Sequence, residues 1–127
     1  MEKKIIKPAN APQPVGPYNQ AVAIQNFVYT SGQIAIDPKT NQMITGDVTQ
    51  QARLVIQNLK AVLEGAGSSL EKIVKVTVFL KNMSDFSSMN AVYSEFFKNE
   101  TAPARSTIEV ARLPKDALVE IEAIGFI

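Results

Sequence analysis

The sequence contains neither cysteine nor histidine. Those two absences remove thiolate nucleophiles, Ser–His–Asp triads, disulfides, haem ligation and ordinary zinc sites together. Any chemistry falls to carboxylates, Arg, Lys, Tyr, hydroxyls or backbone groups. A strong charge of either sign is also missing: 13 Lys and Arg against 12 Asp and Glu leave +1, which gives no global footprint for a phosphate backbone or an anionic membrane. Nucleic acid is therefore not the first partner to consider. No stretch approaches the roughly 20 apolar residues of a membrane span. The basic start Met1–Lys7 holds only Ile5 and Ile6 before Lys7 and Pro8, so it lacks the apolar centre of a signal peptide. A cytoplasmic protein is expected.

What is present is an ordinary globular composition. With 127 residues, 46% hydrophobic and 20% charged, one compact domain over residues 1–127 is the expectation. Residues Pro8–Pro17 hold four prolines and a glycine, which forbids helix and favours an extended arm. Two short apolar runs, Ala21–Ile24 and Phe27–Ser31, flank Gln25-Asn26 as a hairpin, and Asp37-Pro38-Lys39-Thr40-Asn41 reads as a turn. Asp47 with Gln50 resembles a capping box before Val48, Ala52, Val55, Leu59, Val62, Leu63 and Ala66 at helical spacing, with Gly65 and Gly67 at the stop. Ile73–Leu80 alternates as a strand, with Val74, Val76, Val78 and Leu80 on one face. Ser84 is placed to cap a second helix with the stripe Phe86, Met89, Tyr93, Phe96 and Phe97, ending near Asn99. Strands at Arg105–Val110 and Leu118–Ile124 complete the chain.

The order hairpin, helix, strand, helix, strand, strand implies one mixed sheet with both helices on one face, an α+β class. In the last strand Val119, Ile121 and Ala123 point one way, while Leu118, Glu120, Glu122 and Ile124 point the other. A face bearing apolar residues and charges together is a candidate subunit interface.

Few residues are placed for chemistry. Arg105, after Pro103-Ala104 at a strand start, is either a surface cation or a clamp that holds a carboxylate by two parallel hydrogen bonds. Glu120 and Glu122 share a strand face, and either both are solvated or one is buried against Arg and poised to act on water. Tyr18 follows the rigid Gly16-Pro17 turn, and Ser31-Gly32 ends a strand with a hydroxyl and a permissive backbone. Asn90 stands beside Met89 at the edge of the second helix's apolar stripe. Asp37-Pro38 and Lys115-Asp116 read as turns without a catalytic part.

Taken together, Gly16-Pro17-Tyr18-Asn19-Gln20-Ala21, Ser31-Gly32-Gln33-Ile34, Pro103-Ala104-Arg105-Ser106, Leu113-Pro114-Lys115-Asp116 and Glu120-Ile121-Glu122-Ala123 resemble the reactive intermediate deaminase family, RidA or YjgF, over essentially the whole chain. The resemblance implies a chorismate-mutase-like mixed six-stranded sheet with two helices on one face, assembled as a homotrimer with active sites between subunits. It implies hydrolysis of 2-enamine and 2-imine acids, such as 2-aminoacrylate/2-iminopropanoate and 2-aminocrotonate/2-iminobutanoate, to 2-keto acids and ammonia. These reactive species leak from pyridoxal-phosphate dehydratases, a functional link that needs no direct binding. No metal or cofactor is implied.

Carried over by residue, Arg105 would bind the substrate carboxylate and Glu120 would orient or activate water. Tyr18, Ser31 and Gly32 would shape the pocket, Asn90 would support it across the interface, and the backbone of Thr107 would face the substrate. Many relatives have Cys at position 107; a backbone role survives the change to Thr, whereas thiol-based sensing does not. Two other readings follow from the same resemblance. One is an endoribonuclease or translation inhibitor, against which the neutral charge and missing His argue. The other is a non-catalytic trimer that binds 2-keto acids.

Overall fold

The computed structural model describes all of residues 1–127. Its elements are β1 (Lys3–Ile6), β2 (Ala21–Ile24), β3 (Phe27–Thr30), β4 (Ile36–Asp37), β5 (Gln42–Met43), α1 (Val48–Gly65), β6 (Ile73–Leu80), α2 (Phe86–Phe96), β7 (Ala104–Glu109) and β8 (Val119–Phe126). Six strands form one sheet in the order β1-β2-β3-β8-β6-β7, and β4 pairs with β5 as a separate small hairpin. All pairings in the large sheet are antiparallel except β6 with β7, which α2 connects as a β-α-β unit.

One apolar cluster joins both helices to one face of this sheet. Val55, Ile56, Leu59, Val62 and Leu63 of α1 and Met89, Val92 and Tyr93 of α2 are buried with Val28, Val76, Val78, Val119, Ile121 and Ala123 of the strands. The expected capping box starts α1: Asp47 Oδ1 accepts from the Gln50 amide at 3.0 Å, and Gln50 Oε1 accepts from the Asp47 amide at 3.1 Å. The Gln25-Asn26 hairpin and the Asp37–Asn41 turn also form as expected.

Several details differ from the sequence expectation. Strand β1 was not anticipated; its four residues pair with β2 and put Lys3 and Lys4 on a sheet edge. Val74 does not share the buried face with Val76, Val78 and Leu80. A bulge between Ile73 and Lys75 shifts the register, so that Ile73 is buried and Val74 is 43% exposed. Ser84 does not cap α2. It lies inside a short 3₁₀ turn, Met83–Asp85, whose Met83 amide donates to Glu109 Oε1 at 2.7 Å. A carboxylate from β7 therefore meets the helix entrance. Helix α2 stops at Phe96, before Asn99, and β8 runs on to Phe126.

The sheet face opposite the helices is uncovered. Phe27, Tyr29, Ile108 and Phe126 stand 41–45% exposed on it, interleaved with Lys75, Glu120 and Glu122. This is the mixed face that the strand alternation anticipated.

Candidate functional site

Two backbone hydrogen bonds bring the Ser31-Gly32 segment against β8. The Gln33 amide donates to Ile121 O at 2.8 Å and the Ile121 amide to Gln33 O at 3.1 Å, which sets Gly32 beside Glu120. On the other side the Ser31 amide donates to Gln20 O, and the Ser31 hydroxyl donates to Asn19 O at 2.5 Å. The segment is thus fixed at both ends. Gly32 is required by close approach: a Cβ there would lie 2.1 Å from Glu120 Oε2.

Glu120 lines a cavity of about 110 Å³ together with Tyr18, Gln20, Gly32, Ile34 and Lys115. It is half-buried; the loss of water and then the neighbouring Glu122 charge push its carboxyl above the ordinary glutamate range. Glu122, on the same face, instead borders a shallow depression with Tyr29, Lys75 and Thr77. The two glutamates, equivalent by strand alternation, are therefore separated by their surroundings. Tyr18 is half-exposed at the mouth, its hydroxyl 3.4 Å from the Val15 amide.

Gln20 is a wall residue that sequence reading did not single out. It is 2% exposed, and its Nε2 donates to the carbonyls of Pro12, Pro8 and Ala11 at 2.9, 3.1 and 3.4 Å, tying down the proline-rich arm. Its signal was a polar residue set directly before an apolar strand.

Arg105 occupies a different place. It is half-buried at the start of β7, and its Nη1 donates to Asn90 Oδ1 at 2.8 Å. Its guanidinium lies 4.5 Å from the centre of the Tyr93 ring and 5.6 Å from that of Phe86. No carboxylate pairs with it; the ion pairs in the chain are Arg53 with Glu95 and Arg112 with Asp116. An Arg that gives up water without an internal anion is suited to an anion from outside. A cavity of about 350 Å³ opens there, lined by Asn90, Tyr93, Ser94, Ala102, Pro103 and Arg105. Thr107 follows two residues on, on the same face of β7, which is the outer strand of the sheet.

These two half-sites do not meet within one chain. Arg105 pairs with buried Val76 and so lies on the helix side, whereas Glu120 pairs with Phe79 on the open side. They stand two strands apart and three residues out of register, about 14 Å between Cα atoms from strand spacing and rise, on opposite faces. A small molecule cannot touch both in one chain.

The pattern of the family described as Endoribonuclease L-PSP matches residues 8–127. The chain belongs to that family. Relatives of similar length support the assignment. A RutC family protein of Pyrococcus abyssi is 52% identical over 126 residues, covering 99% of this chain and 98% of the relative. The 2-iminobutanoate/2-iminopropanoate deaminase of Escherichia coli K12 is 51% identical over 124 residues, covering 96% of each. Among solved structures of this L-PSP fold, the E. coli YjgF gene product aligns with a TM-score of 0.90 at 50% identity, covering 97% of this chain and 98% of that one. E. coli TdcF, solved with bound serine, aligns with a TM-score of 0.91 at 46% identity, covering 98% of each. The mixed six-stranded sheet and its two helices are thus the L-PSP architecture. No helix in this member is long and apolar enough to cross a membrane.

Proposed function

We propose that the protein hydrolyses small 2-imino and 2-enamino acids to 2-keto acids and ammonia, in a cleft that pairs the Arg105 half-site of one copy with the Glu120 half-site of another. The observation that carries this reading is Arg105, half-buried, hydrogen-bonded to Asn90 and free of any internal carboxylate. Relatives about half identical to this chain carry the deaminase name, and the serine bound to TdcF is itself a small carboxylate-bearing molecule. The uncovered apolar face supplies the contact surface, and a closed ring of three copies is the assembly we assign to it.

In this scheme Arg105 takes the substrate carboxylate in a two-point hydrogen bond, and the peptide edge at Thr107 lies alongside. The iminium carbon is already electrophilic, so little beyond positioning and proton management is asked of the protein. The ionised Glu120 accepts a proton as a water oxygen bonds to that carbon and the C=N π pair moves to nitrogen. The proton then passes to the amine of the resulting carbinolamine. The C–N bond breaks and its electron pair leaves with ammonia, while Glu120, ionised again, takes the hydroxyl proton as C=O forms and passes it to the departing ammonia as ammonium. Tyr18, Ser31 and Gly32 confine the reacting atoms. Charge balances throughout, with water the only co-reactant.

The test couples the protein to a dehydratase that generates the short-lived imine and follows keto-acid formation with and without it. Acceleration by the wild type, absent in Arg105→Ala, is expected. No acceleration by a well-folded wild type overturns the reading and leaves keto-acid binding or RNA cleavage.

A further inference from the structure

Arg105 is useful as a carboxylate clamp only if its guanidinium plane is already turned toward the ligand. A free Arg samples many rotamers and must lose them on binding. A single hydrogen bond from Nη1 to Asn90 fixes one corner of the group but leaves it able to swing about that contact. The second constraint comes from Tyr93, three residues further along α2 and therefore on the same helix face as Asn90. Its ring centre lies 4.5 Å from the guanidinium carbon, and its own position is set by stacking on Phe97 at 4.4 Å with 26° between planes. The apolar stripe of α2, which reads in the sequence as core, thus forms a bed for the one arginine that lacks an anion.

We propose that Tyr93 is a positioning residue for Arg105: its ring, together with the Asn90 amide, holds the guanidinium plane in one orientation and leaves the unused N–H edge directed at the carboxylate. The ring and not the hydroxyl performs this part. The Tyr93 hydroxyl is buried and makes no hydrogen bond to another group of the chain, so a phenylalanine there breaks no contact within the chain. Burial raises its pKa, and the nearby Arg105 charge opposes that rise, as expected for a ring lying under a cation.

The proposal rests on Arg105 as a carboxylate clamp, so affinity and turnover are read separately. Affinity for 2-oxobutanoate is measured by calorimetry, and imine hydrolysis by the coupled assay, for wild type, Tyr93→Phe, Tyr93→Leu and Phe97→Leu. Tyr93→Phe is expected to keep both Kd and KM within about twofold and to melt no lower than wild type, since it deletes an unpaired buried group. Tyr93→Leu is expected to weaken binding and raise KM by about tenfold, the order of a partly desolvated cation–π contact, with kcat within about twofold. Phe97→Leu removes the stack that seats the ring, so its melting temperature falls and its affinity is expected to lie between those of wild type and Tyr93→Leu.

Equal affinity in wild type and Tyr93→Leu overturns the proposal. So does a Tyr93→Phe variant as impaired as Tyr93→Leu, which moves the role to the hydroxyl. Folding of the variants is not essential: in the wild type, ¹⁵N NMR is expected to show an Arg105 Nε–H displaced by the ring current and slow guanidinium rotation. A freely rotating group at its random-coil shift overturns the proposal alone. A wild type that binds 2-oxobutanoate but does not hydrolyse imines removes the deaminase reading and leaves Tyr93 in place.

Discussion

Gly32 and Glu120 fit together because Gly32 has no side chain: a Cβ on it would sit 2.1 Å from Glu120 Oε2 and 2.7 Å from its Cδ. The atoms in the way belong to the far end of a flexible side chain, so Gly32→Ala displaces the carboxylate more than it disturbs the fold. The expected result is a melting temperature within about 3 °C of wild type, under 1 kcal/mol, with imine turnover lowered about 100-fold by misplacement of the group that handles the water's proton. Calorimetric melting alongside the coupled assay checks both halves; a fully active Gly32→Ala would remove Glu120 from the proton path.

Because Arg105 and Glu120 lie on opposite faces of one sheet, two dead variants should rescue each other. Arg105→Ala and Glu120→Gln are each expected to be inactive alone. Unfolded together, mixed in equal amounts and refolded, they place an intact Arg105 opposite an intact Glu120 in about a quarter of inter-subunit sites by random assembly. Activity near that fraction of wild type is the expected outcome. A mixture as inactive as its parents would mean that the two residues do not meet across a subunit boundary, whereas an active Glu120→Gln parent would take Glu120 out of the site.

The pH profile should carry the mark of Glu122. Burial and the Glu122 charge both raise the Glu120 pKa, and water activation needs its ionised form. Activity therefore rises with pH through a midpoint above the ordinary glutamate value. Glu122→Gln deletes one of the two causes, so the acid limb moves to lower pH and the variant keeps more of its activity in mild acid. Stability runs the opposite way. A carboxyl whose folded pKa is raised opposes folding once ionised, so Glu120→Gln is expected to gain stability over wild type above that midpoint and to lose the advantage as pH falls through it. An acid limb unmoved by Glu122→Gln would sever this link.

Removing the α1 cap tests the fold independently of the site. Asp47→Ala deletes the acceptor for the Gln50 amide and half of the reciprocal pair. A loss of about 1 kcal/mol in denaturant unfolding is expected, with KM unchanged.

Much of the fold was legible because local chemistry and tertiary demand agree in it. The Asp47–Gln50 box, the α1 stripe and the β8 alternation each state their own geometry within a few residues. The failures share a different cause. Lys3–Ile6 is too short and too charged to announce a strand and is one only because β2 offers it an edge. Val74 obeys the alternation of its own sequence, yet a bulge against Gly125 and Ile124 turns it outward. Ser84 looks like a cap, but Glu109, distant in sequence, reaches the helix entrance first.

The candidate site was legible as a set of residues and not as an arrangement. Alternation within β7 or β8 tells which residues share a face of that strand. It cannot tell how the faces of two strands correspond, since that is set by their register against β6. The separation of Arg105 from Glu120, and the division of Glu120 from Glu122, were therefore beyond reach of the motifs alone.

The lysines of β1 have a consequence for how the molecule behaves in crowded solution. Strand β1 closes one end of the six-stranded sheet, and an unpaired strand edge is a template on which other chains can extend the ladder. Lys3 and Lys4, both exposed, put two positive charges along that edge, and docking a second such edge would bring four ammonium groups together. The same short segment that lengthens the sheet thus also sets its limit, and keeps growth from continuing past the last strand into a fibre.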